Sequence, residues 1–251
     1  MTLIDAFDIG RGDIISLVGA GGKTTLMYAL GREAENRGWR AVLTTTTRIY
    51  PPEKDKDLTL ICESAGAVLD KAGMVPEEIK QIVVAGGDAG YGKLSGLKPE
   101  IVEELLLKGY DIVIVEADGS AGRPFKAPGN AEPVIPFGSK LVIPVIGIDC
   151  IGKTLSAEYV HRPEMVAEIT GSREGDIINS GTVAGVLLDD KGYRKNVPPK
   201  SRWIPFINKV NEGERLQVAI EISGILGKSG VKKVVIGAAG EPHPVKEVMV
   251  Y

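Results

Sequence analysis

Cysteine and histidine are scarce in this sequence, which has two of each among its 251 residues. Cys62 and Cys150 are too few for a disulfide framework, and such usage is consistent with a reducing compartment. Neither cysteine has a cysteine or histidine neighbour at the spacing of a metal site. We therefore expect no soft-metal cargo site within one chain, although a site assembled across a homodimer stays open.

Long apolar runs and a strong charge of one sign are also missing. No run approaches the roughly 18 residues of a membrane span, and the acidic segment 1–13 lacks the apolar core of a signal peptide. The 30 basic and 33 acidic residues leave a formal charge of −3, which gives no electrostatic reason to expect nucleic acid as a partner. These absences predict a cytoplasmic protein that binds neither nucleic acid nor membranes.

Short β-branched runs alternate with helical stretches along the chain, which is typical of a parallel sheet with crossover helices. We predict an α/β fold of the P-loop NTPase type, a mostly parallel sheet flanked by helices, in a single domain over residues 1–251. A small C-terminal subdomain within 150–202 is left open. The expected strands lie near 13–18, 40–45, 81–85, 111–116, 140–146, 203–207 and 233–238. The expected helices lie near 23–37, 65–72, 99–108, 161–170, 174–179 and 212–226.

The most informative segment joins the first predicted strand to the first long helix and reads Gly19-Ala20-Gly21-Gly22-Lys23-Thr24-Thr25. Small residues let backbone N–H groups turn towards a phosphate, and the following helix directs its positive end to the same place. By position, Lys23 would reach the terminal phosphates and the Thr24 hydroxyl would bind Mg²⁺. The segment predicts a site for a nucleoside triphosphate, either ATP or GTP.

The same segment departs from the usual G-x-x-x-x-G-K-[ST] pattern, because Leu17 stands where the first glycine is expected. Val18 stands where partition- and nitrogenase-type ATPases carry an additional lysine, which disfavours that subclass. The alternative interpretation is a glycine turn with a solvated Lys23. The order of strand, loop, Gly-Lys-Thr and helix favours the phosphate loop.

A second segment places two acids after a buried strand. The run IVIVE ends in Glu116, and Asp118-Gly119 follows. In P-loop proteins an acid at the end of a neighbouring strand holds Mg²⁺ or its water. We therefore predict Glu116 and Asp118 as metal-binding and catalytic residues beside Lys23, with Thr24 as the third metal ligand. The alternative is a turn capped by both acids.

Two further strands end in polar residues. Residues 44–47 are four threonines, followed by Arg48, and their hydroxyls and guanidinium are candidates for water, Mg²⁺ or phosphate contacts, although strand propensity also explains threonine. A late strand ends in Asn208-Lys209-Val210-Asn211, which is similar to the Asn-Lys-x-Asp motif that reads guanine. Asn208 and Lys209 are predicted to bind the nucleotide. The amide of Asn211 both accepts and donates, so the preferred base is left open.

Weaker candidates complete the set. His161 opens a predicted helix, and a structural role is the simpler interpretation for a lone histidine. The glycine-rich loop 86–98 would serve as a lid or as a surface loop. Arg123 and Lys126 would meet phosphate, an acidic substrate or solvent.

Five motifs in order resemble the YqeC family: GAGGKTT, TTTTRI, VEADGSAGRPFKAP, HRPE and INKVN. The resemblance spans roughly residues 10–240. It implies an accessory factor for selenium-dependent molybdenum hydroxylases or for selenium cofactor biosynthesis, with a molybdenum hydroxylase or a cofactor-maturation protein as partner. The segment from Glu116 to Gly119 also looks like metallochaperone GTPases of urease and hydrogenase maturation. The missing Cys/His metal motif and Asn211 weaken that analogy.

Three functions follow as hypotheses. The first is a Mg²⁺-dependent nucleoside triphosphatase, an ATPase or GTPase, that assists maturation of a selenium or molybdenum hydroxylase cofactor. The second is a small-molecule kinase or ATP-dependent ligase, whose acceptor pocket would be lined by Thr47, Arg48, Arg123 and Lys126. The third is a nucleotide-gated binding protein without turnover.

Overall fold

A computed structural model describes residues 1–51 and 59–251 of the chain. The helices of this part are α1 (Leu3–Ala6), α2 (Lys23–Asn36), α3 (Ala65–Gly73), α4 (Pro99–Leu105), α5 (Pro163–Thr170), α6 (Ser180–Leu188) and α7 (Glu214–Lys228). The strands up to the middle of the chain are β1 (Asp13–Gly19), β2 (Ala41–Thr45), β3 (Arg48–Ile49), β4 (Thr59–Cys62), β5 (Gln81–Ala85), β6 (Leu94–Ser95) and β7 (Ile112–Glu116). The later strands are β8 (Phe125–Lys126), β9 (Leu141–Gly147), β10 (Val160–His161), β11 (Arg202–Trp203), β12 (Phe206–Asn208), β13 (Lys233–Gly237) and β14 (Val245–Val250).

One large sheet runs through the molecule in the order β14-β13-β12-β9-β1-β7-β2-β5-β4, with β11 beside β9. Its described pairs are parallel except for β13 with β14, which are antiparallel. β1 lies in the interior of the sheet between β7 and β9. The predicted α/β class, a mostly parallel sheet flanked by helices, is confirmed.

Side chains of the central strands alternate between two apolar layers, as the period of two requires. Ile112 and Ile114 of β7 pack in the core that contains α1 and α2. Val113 and Val115, on the other face, pack with residues of α3 and α4. Because both faces are covered, β7 is apolar from Ile112 to Val115.

The segment 150–202 packs against the same sheet. Val166 of α5 and Val183 of α6 share one core cluster with Ile146 of β9, Ile207 of β12 and Val234 of β13. Apolar burial against the large sheet is therefore what holds α5 and α6 in place.

The predicted strands are all present within three residues of their expected ends, and the structure adds β4 and β14 at the two edges of the sheet. Residues of β14 are half-buried or exposed. An edge strand of this kind lacks the continuous apolar run that identifies a buried one, which is why the pattern missed it.

The helix predicted at 174–179 is wrong. This segment is held by backbone hydrogen bonds to its neighbour 152–155, including Leu155 N to Asp176 O at 2.8 Å and Ile178 N to Lys153 O at 2.9 Å. The helix α6 begins afterwards, where the Asn179 side chain accepts a hydrogen bond from Thr182 N at 2.9 Å and completes a capping box.

In the described part of the chain, no helix combines the length and apolar character needed to cross a bilayer.

Phe206 provides a test of the core between α1 and the sheet. Its ring is fully buried and meets Phe7 edge-on at a centroid distance of 5.8 Å. We expect Phe206→Ala to lower the free energy of unfolding by about 3–5 kcal/mol, measured by urea denaturation. The control is Phe137→Ala, because Phe137 is 79% exposed. An equal loss of stability in both variants would contradict this packing.

Candidate functional site

Three parallel strands bring the predicted acids to the glycine loop. In the register of the sheet, Leu17 of β1 and Thr45 of β2 both lie opposite Glu116 of β7. The carboxyl ends of β1, β2 and β7 therefore meet at one edge, where open α/β sheets place their binding sites.

The loop between β1 and α2 depends on glycine at three positions. Gly19, Gly21 and Gly22 have φ values of 94°, 85° and 119°, a region that side chains rarely adopt. A Cβ on Gly21 would overlap the backbone of Gly147, and one on Gly19 would lie 2.5 Å from Val145 O. The loop is thus packed directly against the end of β9.

This geometry explains the departure at Leu17. β1 continues through Gly19, and Leu17 is fully buried inside the strand as part of the core. The turn therefore starts at Gly19, two residues later than in the usual pattern. A compact loop of Ala20, Gly21 and Gly22 then leads into α2.

Lys23, the first residue of α2, is 2% exposed and its Nζ lies over the loop. Nζ donates to Gly19 O at 2.5 Å and lies 3.1 Å from Asp118 Oδ1 and 3.7 Å from Glu116 Oε1. Burial would lower the pKa of this amine, but the charges of Asp118 and Glu116 outweigh it and raise the pKa. Lys23 is thus a buried, positively charged residue at the start of the helix.

Thr24 and Glu116 are two of the predicted metal ligands, and their side chains contact each other. The Thr24 hydroxyl donates to Glu116 Oε2 at 2.8 Å, and the Glu116 side chain is 13% exposed. A hydroxyl and a carboxylate at this distance are the donor types that Mg²⁺ prefers. Among the described residues, no group of three or more His, Cys, Asp or Glu side chains is arranged to hold a metal. Thr24 and Glu116 thus offer two oxygen ligands, and a Mg²⁺ ion held by them would take its other ligands from phosphate and water.

Asp118 is buried, and its contacts hold the loop in place. Its side chain is 2% exposed, and its two oxygens accept hydrogen bonds from Gly19 N at 3.1 and 2.9 Å. The same carboxylate also contacts Lys23 and lies 3.0 Å from Lys126 Nζ. The predicted metal and catalytic roles of Asp118 stay predictions, while its observed contacts hold the loop.

Behind Asp118 lies a chain of buried and half-buried charges that the sequence analysis did not identify. Lys126 is fully buried and lies 2.8 Å from Glu132 Oε2, which also accepts a hydrogen bond from Arg162 at 2.7 Å. Burial would raise the pKa of Glu132, but hydrogen bonds and charge from Arg162 and Lys126 lower it to about 2. Arg123, by contrast, is exposed.

Asn208 and Lys209 lie on the other side of the loop. The Asn208 side chain donates to Gly21 O at 2.8 Å and accepts from Ala239 N at 2.9 Å, so it ties the loop to the end of β13. Lys209 pairs with Asp149 at 2.7 Å. The two residues line a cleft of about 240 Å³ with Gly22, Thr25, Asn211, Arg215 and residues 238–241.

The remaining candidates are placed as follows. The Thr45 hydroxyl donates to Glu116 O at 2.8 Å, and the Thr46 hydroxyl donates to Val134 O at 2.6 Å, so both bind backbone. Arg48 is exposed. Burial and the charges of Arg162 and Lys126 lower the pKa of His161. In the register of β10 with β8, His161 lies opposite Lys126.

Gly21→Ala tests the packing of the loop. The substitution combines a left-handed φ with an overlap on Gly147, and we expect it to destabilise the protein by about 1–3 kcal/mol in urea denaturation. Gly224→Ala is the control, because nothing lies within 4 Å of a Cβ at this position of α7. In a helix interior that change adds up to about 1 kcal/mol of stability. Equal effects would exclude the loop geometry described above.

The low pKa of Glu132 predicts that the protein loses stability in acid. The folded protein keeps this carboxyl ionised down to a pKa of about 2, whereas the ordinary pKa of a glutamate is 4.5. Its contribution to stability is therefore complete above about pH 4.5 and is lost as the pH falls towards 2. Unfolding of wild type and Glu132→Gln by urea should differ at pH 6 and converge between about pH 4 and 2.

The control for this series is Glu168→Gln, because Glu168 pairs with Lys191 on the surface. We expect that variant to change the free energy of unfolding at pH 6 by less than about 1 kcal/mol. A wild type and Glu132→Gln pair whose difference stays constant down to pH 2 would refute the ionised Glu132 described here.

The comparisons with known proteins agree with the motifs. A family model described as YqeC protein matches residues 15–164. A protein of Escherichia coli (strain K12) named "Uncharacterized protein YqeC" is 33% identical over 235 residues, which cover 93% of this chain and 90% of that protein. The resemblance stated from the motifs is thereby confirmed.

Among solved structures, the chain is similar to the signal recognition particle 54 kDa protein from Aeropyrum pernix K1 in complex with GDP. The TM-score is 0.41 and the identity 19%, and the match covers 95% of this chain and 43% of that one, so the chain spans less than half of that protein. This likeness is too low to support an argument about function. The family match and the curated relative together show that the chain belongs to the YqeC family.

Proposed function

We propose that this protein is a Mg²⁺-dependent P-loop nucleoside triphosphatase. The observation that carries the proposal is the N terminus of α2, where Gly22 is the N-cap and no side chain among the described residues caps the helix. The first-turn N–H groups are therefore available to an anion, and the buried cation Lys23 lies beside them. A triphosphate satisfies both features at once.

Thr24 and Glu116 are the residues that would hold Mg²⁺. Their 2.8 Å contact places a hydroxyl and a carboxylate at the same end of the sheet as Lys23. When bound with the nucleotide, the ion would neutralise charge on the β- and γ-phosphates. The Glu116 side chain is 13% exposed and that of Asp118 is 2% exposed, so we propose Glu116 as the carboxylate that contacts the metal.

Catalysis would depend mainly on positioning and electrostatics. Lys23 and the loop N–H groups would stabilise charge that develops on the transferred phosphoryl group. Asp118 would support this through its contacts with Gly19 and Lys23. Because its side chain is buried, the structure around it would have to open locally before it could orient the attacking water, as predicted. Glu116 would hold the metal ion together with Thr24.

The cleft beside Gly22 and Thr25 is the proposed nucleoside site. Lys209 and Asn211 lie in it, and Asn208 joins the cleft to the phosphate loop through Gly21 O. The Asn211 amide offers an acceptor and donors, which suits either adenine or guanine. The nucleotide is therefore proposed as ATP or GTP.

The cellular role is proposed from the family. The YqeC resemblance supports an accessory factor in maturation of a selenium or molybdenum hydroxylase cofactor, with a hydroxylase or maturation protein as partner. A cytoplasmic location fits the scarce cysteines. The kinase alternative loses one predicted acceptor contact, because Lys126 is fully buried.

Lys23→Met tests the proposal. We expect calorimetry with Mg²⁺ to give micromolar binding of one non-hydrolysable analogue, of ATP or of GTP, to wild type and none to the variant. Phosphate release should fall by about 10²–10³-fold, because a group that stabilises transition-state charge is lost. The matched control is Lys191→Met, since Lys191 is an exposed lysine.

The outcomes separate the functions. Phosphate release that is unchanged in Lys23→Met would sink the hydrolase assignment. Binding without turnover would favour the nucleotide-gated protein, and turnover only with an added acceptor would favour the kinase. If neither analogue binds wild type, the phosphate loop is not a nucleotide site in the isolated chain.

A further inference from the structure

We propose that Lys126 is a positioning residue whose charge lets Lys23 leave its carboxylates and bind the phosphates of a nucleoside triphosphate. The inference rests on the proposed function. It assigns a role in the same site to a buried lysine that touches neither the phosphate loop nor solvent.

Lys23 is already paired in the structure. Its Nζ lies 3.1 Å from Asp118 Oδ1 and 3.7 Å from Glu116 Oε1 in a buried site. Binding to phosphate requires Lys23 to exchange these carboxylates for phosphate oxygens. A carboxylate left buried without a cation would oppose that exchange strongly.

When Lys23 leaves, a different cation can neutralise each of the two carboxylates. Glu116 is partly exposed and contacts Thr24, so a metal ion that enters with the nucleotide can neutralise it. Asp118 is too buried for this, but Lys126 Nζ lies 3.0 Å from its other oxygen. Asp118 therefore stays paired when Lys23 turns to the phosphates.

Lys126 is itself shared between two acids. Its three donors meet Asp118 at 3.0 Å, Glu132 at 2.8 Å and Gly119 O at 2.6 Å. Arg162 completes the chain by pairing with Glu132. Glu116, Asp118 and Glu132 are thus balanced by Lys23, Lys126 and Arg162, and removing one charge changes how tightly its neighbours are held.

Acidic and basic residues alternate along this chain of charges, and the alternation determines whether a substitution strengthens or weakens nucleotide binding. Without Lys126, Lys23 is the only lysine left to neutralise Asp118. The stronger pairing holds Lys23 away from phosphate. Without the charge of Glu132, Lys126 is shared less and neutralises Asp118 more fully, which favours release of Lys23. A residue needed only for folding would not produce opposite effects in the two variants.

The experiment is calorimetric titration of non-hydrolysable ATP and GTP analogues with Mg²⁺ into the full chain. Wild type, Lys126→Met, Glu132→Gln and the double variant Asp118→Asn/Lys126→Met are compared, with folding checked by circular dichroism. We expect Lys126→Met to weaken binding on the order of tenfold, within the usual range of coupling between sites. The double variant should return to within about threefold of wild type, because the neutral amide that replaces the Asp118 carboxylate no longer holds Lys23 by charge. Glu132→Gln should bind more tightly than wild type.

Each outcome decides a separate point. If wild type binds neither analogue, the proposed function fails, and the inference falls with it. If wild type binds and Lys126→Met binds equally well, the function stands and the role of Lys126 is overturned. Weak binding that the double variant does not restore also overturns it. If Lys126→Met does not fold, Glu132→Gln decides: tighter binding than that of wild type supports the inference, and equal or weaker binding refutes it.

Discussion

The site depends on one buried carboxylate that serves two lysines and a strand. Asp118 accepts hydrogen bonds from Gly19 N and contacts both Lys23 and Lys126, while its side chain is only 2% exposed. A buried charge is tolerated only when it is paired and hydrogen-bonded, so these groups must be placed together or not at all. This requirement fixes the end of β1, the start of α2 and the turn after β7 relative to one another.

Close backbone packing adds a second constraint on the same loop. Gly21 lies against Gly147 at the end of β9, and Asn208 bridges Gly21 O and Ala239 N. The loop is therefore held from three sides, by β7 through Asp118, by β9 through Gly147 and by β12 through Asn208. A loop held in this way fixes the position of the helix N terminus, as the proposed stabilisation of a phosphate would require.

The local patterns predicted the parts of the fold that depend on local rules. Buried strands such as β7 and β9 are continuous apolar runs, and the glycines before Lys23 indicate a tight turn. The helix predicted at 174–179 is wrong, because backbone hydrogen bonds join this segment to 152–155 instead. The pattern also missed β14, whose half-exposed residues lack a buried strand's signature.

Residues close together in the chain, or at the end of one apolar run, encode the order of elements and the chemistry that follows each central strand. The glycine loop, Lys23, Thr24 and Glu116 are features of this kind, and the sequence alone was enough to name them as candidates, whose roles stay predictions. The three-dimensional packing was needed to show that Asp118 and Lys126 are buried together, that Glu132 and Arg162 continue the chain of charges, and that Asn208 holds the loop. Desolvation and pairing of charges depend on which distant segments meet, and no local spacing records that.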